Sequence, residues 1–259
     1  MTIHAFAGQQ LHHNALVAEL IDRTRRVQRP CSNGAVLEML TASIVDLGVA
    51  DWAGITERLG RNTFQTLAPT NELVGALDVL QDHCAEGPYV QAAYDWSCLH
   101  SNDLAGDQRW PRWGAGAAEH GVKAMISVNL HASGLPIGML NLYRSTAQQY
   151  AGKDLELAEV IGAHASILLD HHRSETHLWN AIDARHRVGQ AQGMLMERFH
   201  LDADKAFKVL RRLSQQQHTK LHVIAERLTS SGRLPEELHA EPDLADFGPG
   251  LATLEAGRQ

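Results

Sequence analysis

The chain has 259 residues, with 23 Lys and Arg against 30 Asp and Glu, a formal net charge of −7 and 44% hydrophobic residues. That apolar share is enough for one large or two ordinary cores, yet no window approaches the roughly 20 continuous apolar residues of a membrane span. Cys31, Cys84 and Cys98 are too few, and odd in number, for a disulfide framework; together with a start, Met-Thr-Ile-His-Ala-Phe, that lacks a basic region before an apolar one, they fit a reducing cytoplasm.

In chain order, Leu16, Val17, Leu20, Ile21 and Val27 recur at helical spacing between residues 11 and 29. Ser32-Asn33-Gly34 breaks that rhythm and offers Ser32 or Asn33 as the cap of a second helix through Leu37, Leu40 and Ile44. Residues 51–69 read as a hairpin turning at Gly60 to Asn62, and Thr70-Asn71 starts a helix to His83. Glu86-Gly87-Pro88 is a sharp break. A helical turn near Val90, a strand near Ser97 to Asp103 and a helix from Pro111 to His120 follow. Val122 to His131 and Leu135 to Tyr143, joined by Ser133-Gly134, carry the strongest strand signal. Asp154 is placed as the cap of a long helix through Leu157, Ile161, Ala165 and Leu168, with no breaker before Phe199. Irregularly mixed helices and antiparallel strands make an α+β fold, followed by an all-α end.

That end is basic, while the rest is acidic on balance. Between Leu178 and Pro235, Arg185, Arg187, Arg198, Lys205, Lys208, Arg211, Arg212, Lys220, Arg227 and Arg233 face only Asp183, Glu197, Asp202, Asp204 and Glu226. Such asymmetry points to a phosphate-bearing partner, although a solvated helix face accounts for any single Arg. Three helices are expected, the second capped by Asp202, around Met194, Leu195, Phe199, Ala206, Phe207, Leu210, Leu213, Leu221, Ile224, Ala225 and Leu228. Gly193 is expected to let a neighbouring helix approach. Arg185, Gln192, Arg211, Ser214, His218 and Lys220 are the candidate contacts to such a phosphate-bearing partner: Arg forks suit phosphates, while Ser, Gln and His suit the edges of unpaired bases.

Cys84-Ala-Glu-Gly-Pro88, Arg109-Trp-Pro111, His120-Gly-Val122 and Gly138-Met-Leu-Asn-Leu-Tyr143 together resemble the GAF domain of actinobacterial sensor proteins, over about Gly34 to Asp170. Gln190-Ala-Gln-Gly-Met-Leu-Met196, Ala206-Phe207, Leu210-Arg211 and Leu221 to Ala225 resemble the ANTAR domain. The second resemblance implies binding of hairpin RNA and transcription antitermination, and paired stem-loops would call for a homodimer. Gln192 stands where the family's run has Lys, and Tyr89 where the GAF pattern often has Cys.

The expected organisation is therefore a GAF-like sensor over 11–170, an ANTAR-like unit over 171–235 and an acidic, disordered tail over 236–259. A small molecule or a protein partner is the expected signal, with Tyr89, Trp96, Trp110 and Trp113 as candidate pocket residues. Core filling is the more common role of tryptophan, above all for Trp110 beside Pro111. No cofactor, metal site or catalytic motif is expected. His12-His13 and His171-His172 lack partners at zinc-ligand spacing. Two alternatives are kept. One is a protein-interaction module without RNA binding. The other is a GAF-type methionine-sulfoxide reductase, which would need Cys84 and Cys98 as its thiols. Ile161 is expected in a dimer seam.

Overall fold

The alternation from Val122 to Tyr143 forms the centre of a sheet. In a computed structural model, which describes residues 15–25, 34–60, 63–92, 98–147 and 150–232, the chain divides into two compact units, 1–175 and 176–259. Unit 1 contains helix α1 (15–25), helix α2 (Ala35–Asp46), strands β1 (Trp52–Arg58) and β2 (Phe64–Leu67), and helices α3 (Glu72–Cys84) and α4 (Pro88–Ala92). Strand β3 (Cys98–Ser101), a short 3₁₀ turn at Leu104–Gly106, helix α5 (Pro111–Glu119) and strands β4 (Ala124–Ala132) and β5 (Leu135–Arg144) follow. Helix α6 (Gly152–Phe199) begins in unit 1 and ends in unit 2, which continues with α7 (Ala203–Gln216) and α8 (Leu221–Ser231). Among the described residues, no helix is long and apolar enough to cross a membrane.

The sheet is antiparallel, in the order β2-β1-β5-β4-β3. Ser133 and Gly134, with φ of 49° and 80°, make the left-handed two-residue turn that suits the twist of a hairpin. Alternate side chains leave on opposite faces. Ala53, Ile55, Ile126, Val128, Leu130, Leu140 and Leu142 pack against α1, α2 and the start of α6. Met125, Tyr143 and Leu99 pack against α3 and α5. Gly138 lets β5 lie under α6, since a Cβ there would sit 2.5 Å from the Thr56 carbonyl oxygen and 2.9 Å from Leu169. Helix α1 is tied to α6 as well. The Thr24 hydroxyl is committed to the carbonyls of Leu20 and Ile21, so the His164 ring nitrogen 3.0 Å away acts as the donor. Burial, then the charge of Arg25, holds His164 below the usual histidine range.

The local signals act as expected at several ends. Asn71 caps α3 by accepting from the Leu73 amide, Pro111 opens α5, and Asp202 caps α7 by accepting from the Lys205 amide. Two differ. Helix α2 is capped by Gly34, which has no side chain to bond; Ser32 and Asn33 lie outside the described residues. Asp154 sits inside the first turn of α6 and reaches back to the Ala151 amide at 2.9 Å, as the acidic member of a capping box does.

Ile161 also differs from expectation. It is 2% exposed within the unit's own core, beside Leu157, Ala165 and Leu169, because the sheet claims that stripe of α6. The large apolar residues of α6 left outside in unit 1 are Val160 and Ile167.

Unit 2 is a three-helix cluster. Ala191, Leu195, Leu201, Ala206, Val209, Leu210, Leu213, Ile224, Ala225 and Leu228 are buried, with Phe199 and Leu221 packed at the edge. Met194 and Phe207 are exposed instead, at 36% and 38%, since Ala191 and Val209 occupy the inward positions. Nothing lies within 4 Å of a Cβ built on Gly193, so it is a tolerated helix glycine rather than a packing contact. The tail expected over 236–259 lies outside the described residues.

Candidate nucleic-acid interface and sensor face

In unit 2, two side-chain bonds define one flank. The Gln192 amide on α6 donates to the Ala203 carbonyl at the start of α7, at 2.6 Å. At the other end of α7, the Ser214 hydroxyl donates to the Thr219 carbonyl at 2.6 Å, fixing the turn into α8. In that turn His218 holds φ at 47°, a left-handed conformation. Lys220 follows as the N-cap residue of α8. Arg211 lies two turns along α7 from Ala203, and Arg185 lies two turns before Gln192 on α6. Arg185, Arg211, His218 and Lys220 are exposed, while Gln192 and Ser214 are half-buried.

Among the described residues, Arg185, Arg211 and Lys220 make no ion pair, whereas Arg187 is held between Asp183 and Glu226 and Lys205 lies 3.6 Å from Asp202. Arg185, Arg211 and Lys220 are thus cations without an acidic partner among the described residues, whereas Arg187 is enclosed by two carboxylates. Gln192 and Ser214 each commit a donor to the fold, which limits what they have left for base edges.

In unit 1 the sheet face toward α3 is polar at its centre. The Asp78 carboxylate accepts from Thr56 at 2.9 Å, Thr66 at 2.7 Å and Gln81 at 3.2 Å. Ser127 donates to the Asn141 side-chain oxygen, and the Asn141 amide donates to Thr56 at 2.9 Å. Gln81 in turn accepts from the Tyr89 amide at 3.1 Å. Burial pushes the Asp78 carboxyl up to about 6, against the pull of its Thr66 and Thr56 bonds. These groups satisfy one another.

Among the described candidate pocket residues, Tyr89 borders a cleft. Its ring lies 4.4 Å from Phe64, its hydroxyl donates to Asp82, and burial raises its pKa. The cleft, also lined by Arg58, Asn129, Pro136, Gly138 and Met139, offers only about 10 Å³ of room, about what one water occupies and far less than a small-molecule pocket. Trp110 and Trp113 are 2% and 0% exposed, edge to face at 5.5 Å, and the Trp113 indole donates to the Leu77 carbonyl at 3.1 Å. They fill the core, as large rings do when their N–H finds a partner. Trp96 lies outside the described residues.

Cys84 and Cys98 are free thiols. Cys98 packs against the α6 side of the sheet, with its pKa pushed up to about 11 by burial and then Glu159, and Cys84 packs against the α3 and α5 side. They do not form one thiol site. Among the described residues, no cluster of His, Cys, Asp and Glu is arranged to hold a metal ion.

A mixed α+β unit is followed along the chain by a basic three-helix unit. The GAF domain family model matches residues 34–170 and the ANTAR domain model matches 176–228. The chain thus belongs to the GAF domain family and carries an ANTAR domain at its end. GAF is a sensory domain, and ANTAR is an RNA-binding antitermination module. No curated protein matches the chain.

Among solved structures, it is similar to the GAF domain of a phosphoenolpyruvate-protein phosphotransferase from Coxiella burnetii, with a TM-score of 0.52 and 10% identity over 64% of this chain and 98% of that one. The corresponding Acinetobacter domain scores 0.49 at 12% identity, over 64% and 98%. Free methionine-R-sulfoxide reductase from Neisseria meningitidis scores 0.42 at 15% identity, over 63% and 89%. At these identities the likeness concerns the fold alone.

Proposed function

We propose that this chain is a sensory regulator that binds hairpin RNA through the flank of unit 2 carrying Arg185, Gln192, Arg211, Ser214, His218 and Lys220, and so controls transcription termination. The observation that carries this reading is the match of residues 176–228 to the ANTAR family, on a unit whose exposed Arg185, Arg211 and Lys220 make no ion pair among the described residues. Cations held at helix surfaces without acidic partners suit phosphates. The GAF domain supplies the signal, a small molecule or a protein partner.

The protein works as a homodimer on paired stem-loops. In unit 2, Leu178, Trp179 and Ile182 on α6 are 61%, 60% and 49% exposed, which suits helix pairing with a second copy. Sedimentation of a Leu178→Asp/Ile182→Asp variant should give monomers where the parent gives dimers; an unchanged dimer places the contact elsewhere.

The test of RNA binding is a salt series with hairpin RNA, with duplex DNA alongside. Each phosphate contact steepens the dependence of log affinity on log salt by about 0.7 for single strands. An Arg185→Ala/Arg211→Ala/Lys220→Ala variant, folded by circular dichroism, should bind more weakly with a flatter slope. Parental affinity in that variant refutes the assigned surface, and a parent that binds no hairpin RNA refutes the function.

A further inference from the structure

Helix α7 presents one large aromatic to solvent. Its inward residues are Ala206, Val209, Leu210 and Leu213, and Phe207 is left 38% exposed. Phe207 stands one turn after Ala203, whose carbonyl holds Gln192, and one turn before Arg211. Two turns further along the same flank is Ser214, which fixes the His218 turn. Lys208 is exposed beside it. The flank is thus a row of cations and polar ends with a single phenyl ring at its middle.

An exposed Phe on a helix that has a well-filled inward stripe contributes little to the unit's core. Ser214 and Gln192, the residues suited by type to reading base edges, have already committed donors to carbonyls of the fold. A ring flanked by cations does suit an unpaired base: the cations hold the flanking phosphates and the ring stacks on the base.

We infer that Phe207 is a base-stacking residue, which makes the unit selective for unpaired bases of an RNA loop over paired ones. This rests on the RNA-binding reading above. Arg211 and Lys220 then position the backbone, and the stacked base sets the requirement for an open loop.

The test uses the full-length protein and a hairpin RNA pool with a fully randomised loop, with a fully paired duplex of the same stem as control. Phe207→Leu keeps an apolar side chain but removes the stacking face. It should bind the pool on the order of 5- to 100-fold more weakly, with the salt slope of the parent retained. Phe207→Tyr should bind like the parent. Both variants should melt like the parent by circular dichroism. The parent should prefer the pool to the duplex, and Phe207→Leu should lose most of that preference.

Parental affinity in Phe207→Leu overturns the stacking role, as does a loss accompanied by a flattened salt slope. A parent that binds neither the pool nor the duplex refutes the RNA-binding reading itself, an outcome distinct from the other two.

Discussion

Asp78 offers the sharpest test of the sensor fold. It is 6% exposed, and its carboxyl is raised from 3.8 to about 6, chiefly by burial. A carboxyl with a raised folded-state pKa adds stability that is complete below its unfolded value and is lost as pH rises through the folded one. The shift of about two units corresponds to about 3 kcal/mol, lost between about pH 4 and pH 7. Asp51, held low by the Ser145 amide, and Asp107, held at about 2 by the Arg109 guanidinium, pull in the opposite direction, but they are common to parent and variant. Asp78→Asn should therefore show its effect in the difference between two pH profiles. Urea unfolding followed by tryptophan fluorescence suits this, because Trp110 and Trp113 are buried in unit 1 while Trp179 is 60% exposed. Relative to the variant, the parent should lose about 3 kcal/mol across that pH window. Parallel profiles would refute the claim that Asp78 is a buried, charge-intolerant carboxyl.

Ile161→Asp places a charge in the core of unit 1 and should destabilise it by about 4 kcal/mol or more, seen as a lost fluorescence transition, whereas Ile167→Asp, at 68% exposure, should unfold within about 0.5 kcal/mol of the parent. Gly162→Ala brings a Cβ to 2.5 Å from the stiff Val128 side chain and should lower the melting point despite its better helix propensity, while Gly193→Ala, with nothing within 4 Å, should raise the stability of unit 2 by up to about 1 kcal/mol in a calorimetric scan.

The parts of the fold governed by local rules were legible in the sequence. The β4–β5 hairpin follows from apolar alternation and Ser133-Gly134, the opening of α5 from Pro111, and the caps of α3 and α7 from Asn71 and Asp202. What failed was the choice between stripes. Helical spacing on α6 and α7 is compatible with more than one inward face, so spacing alone puts Ile161 in a seam and Phe207 and Met194 in the core, opposite to what burial shows. Gly193 has no neighbour within 4 Å of a Cβ, and spacing does not reveal whether one is present. The Asp78 network was invisible for a related reason. An acid in a helix ordinarily reads as solvated, and only the pairing of β1, β2 and β5 brings Thr56, Thr66 and Asn141 to it.

The strand order also constrains how the chain comes to be folded. Strand β1 takes its interior place, beside the central strand, only by pairing with β5, from Trp52 with Tyr143 to Glu57 with Gly138. Contacts so distant in sequence close slowly, while the neighbouring helices of unit 2 meet through short loops and can assemble fast. During synthesis the β1–β2 hairpin must wait, with one edge unpaired, until residue 144 has emerged, and an open strand edge is a template for other chains. The strands made first are thus among the last to be secured, and crowding of nascent chains is the condition under which the sheet is most vulnerable.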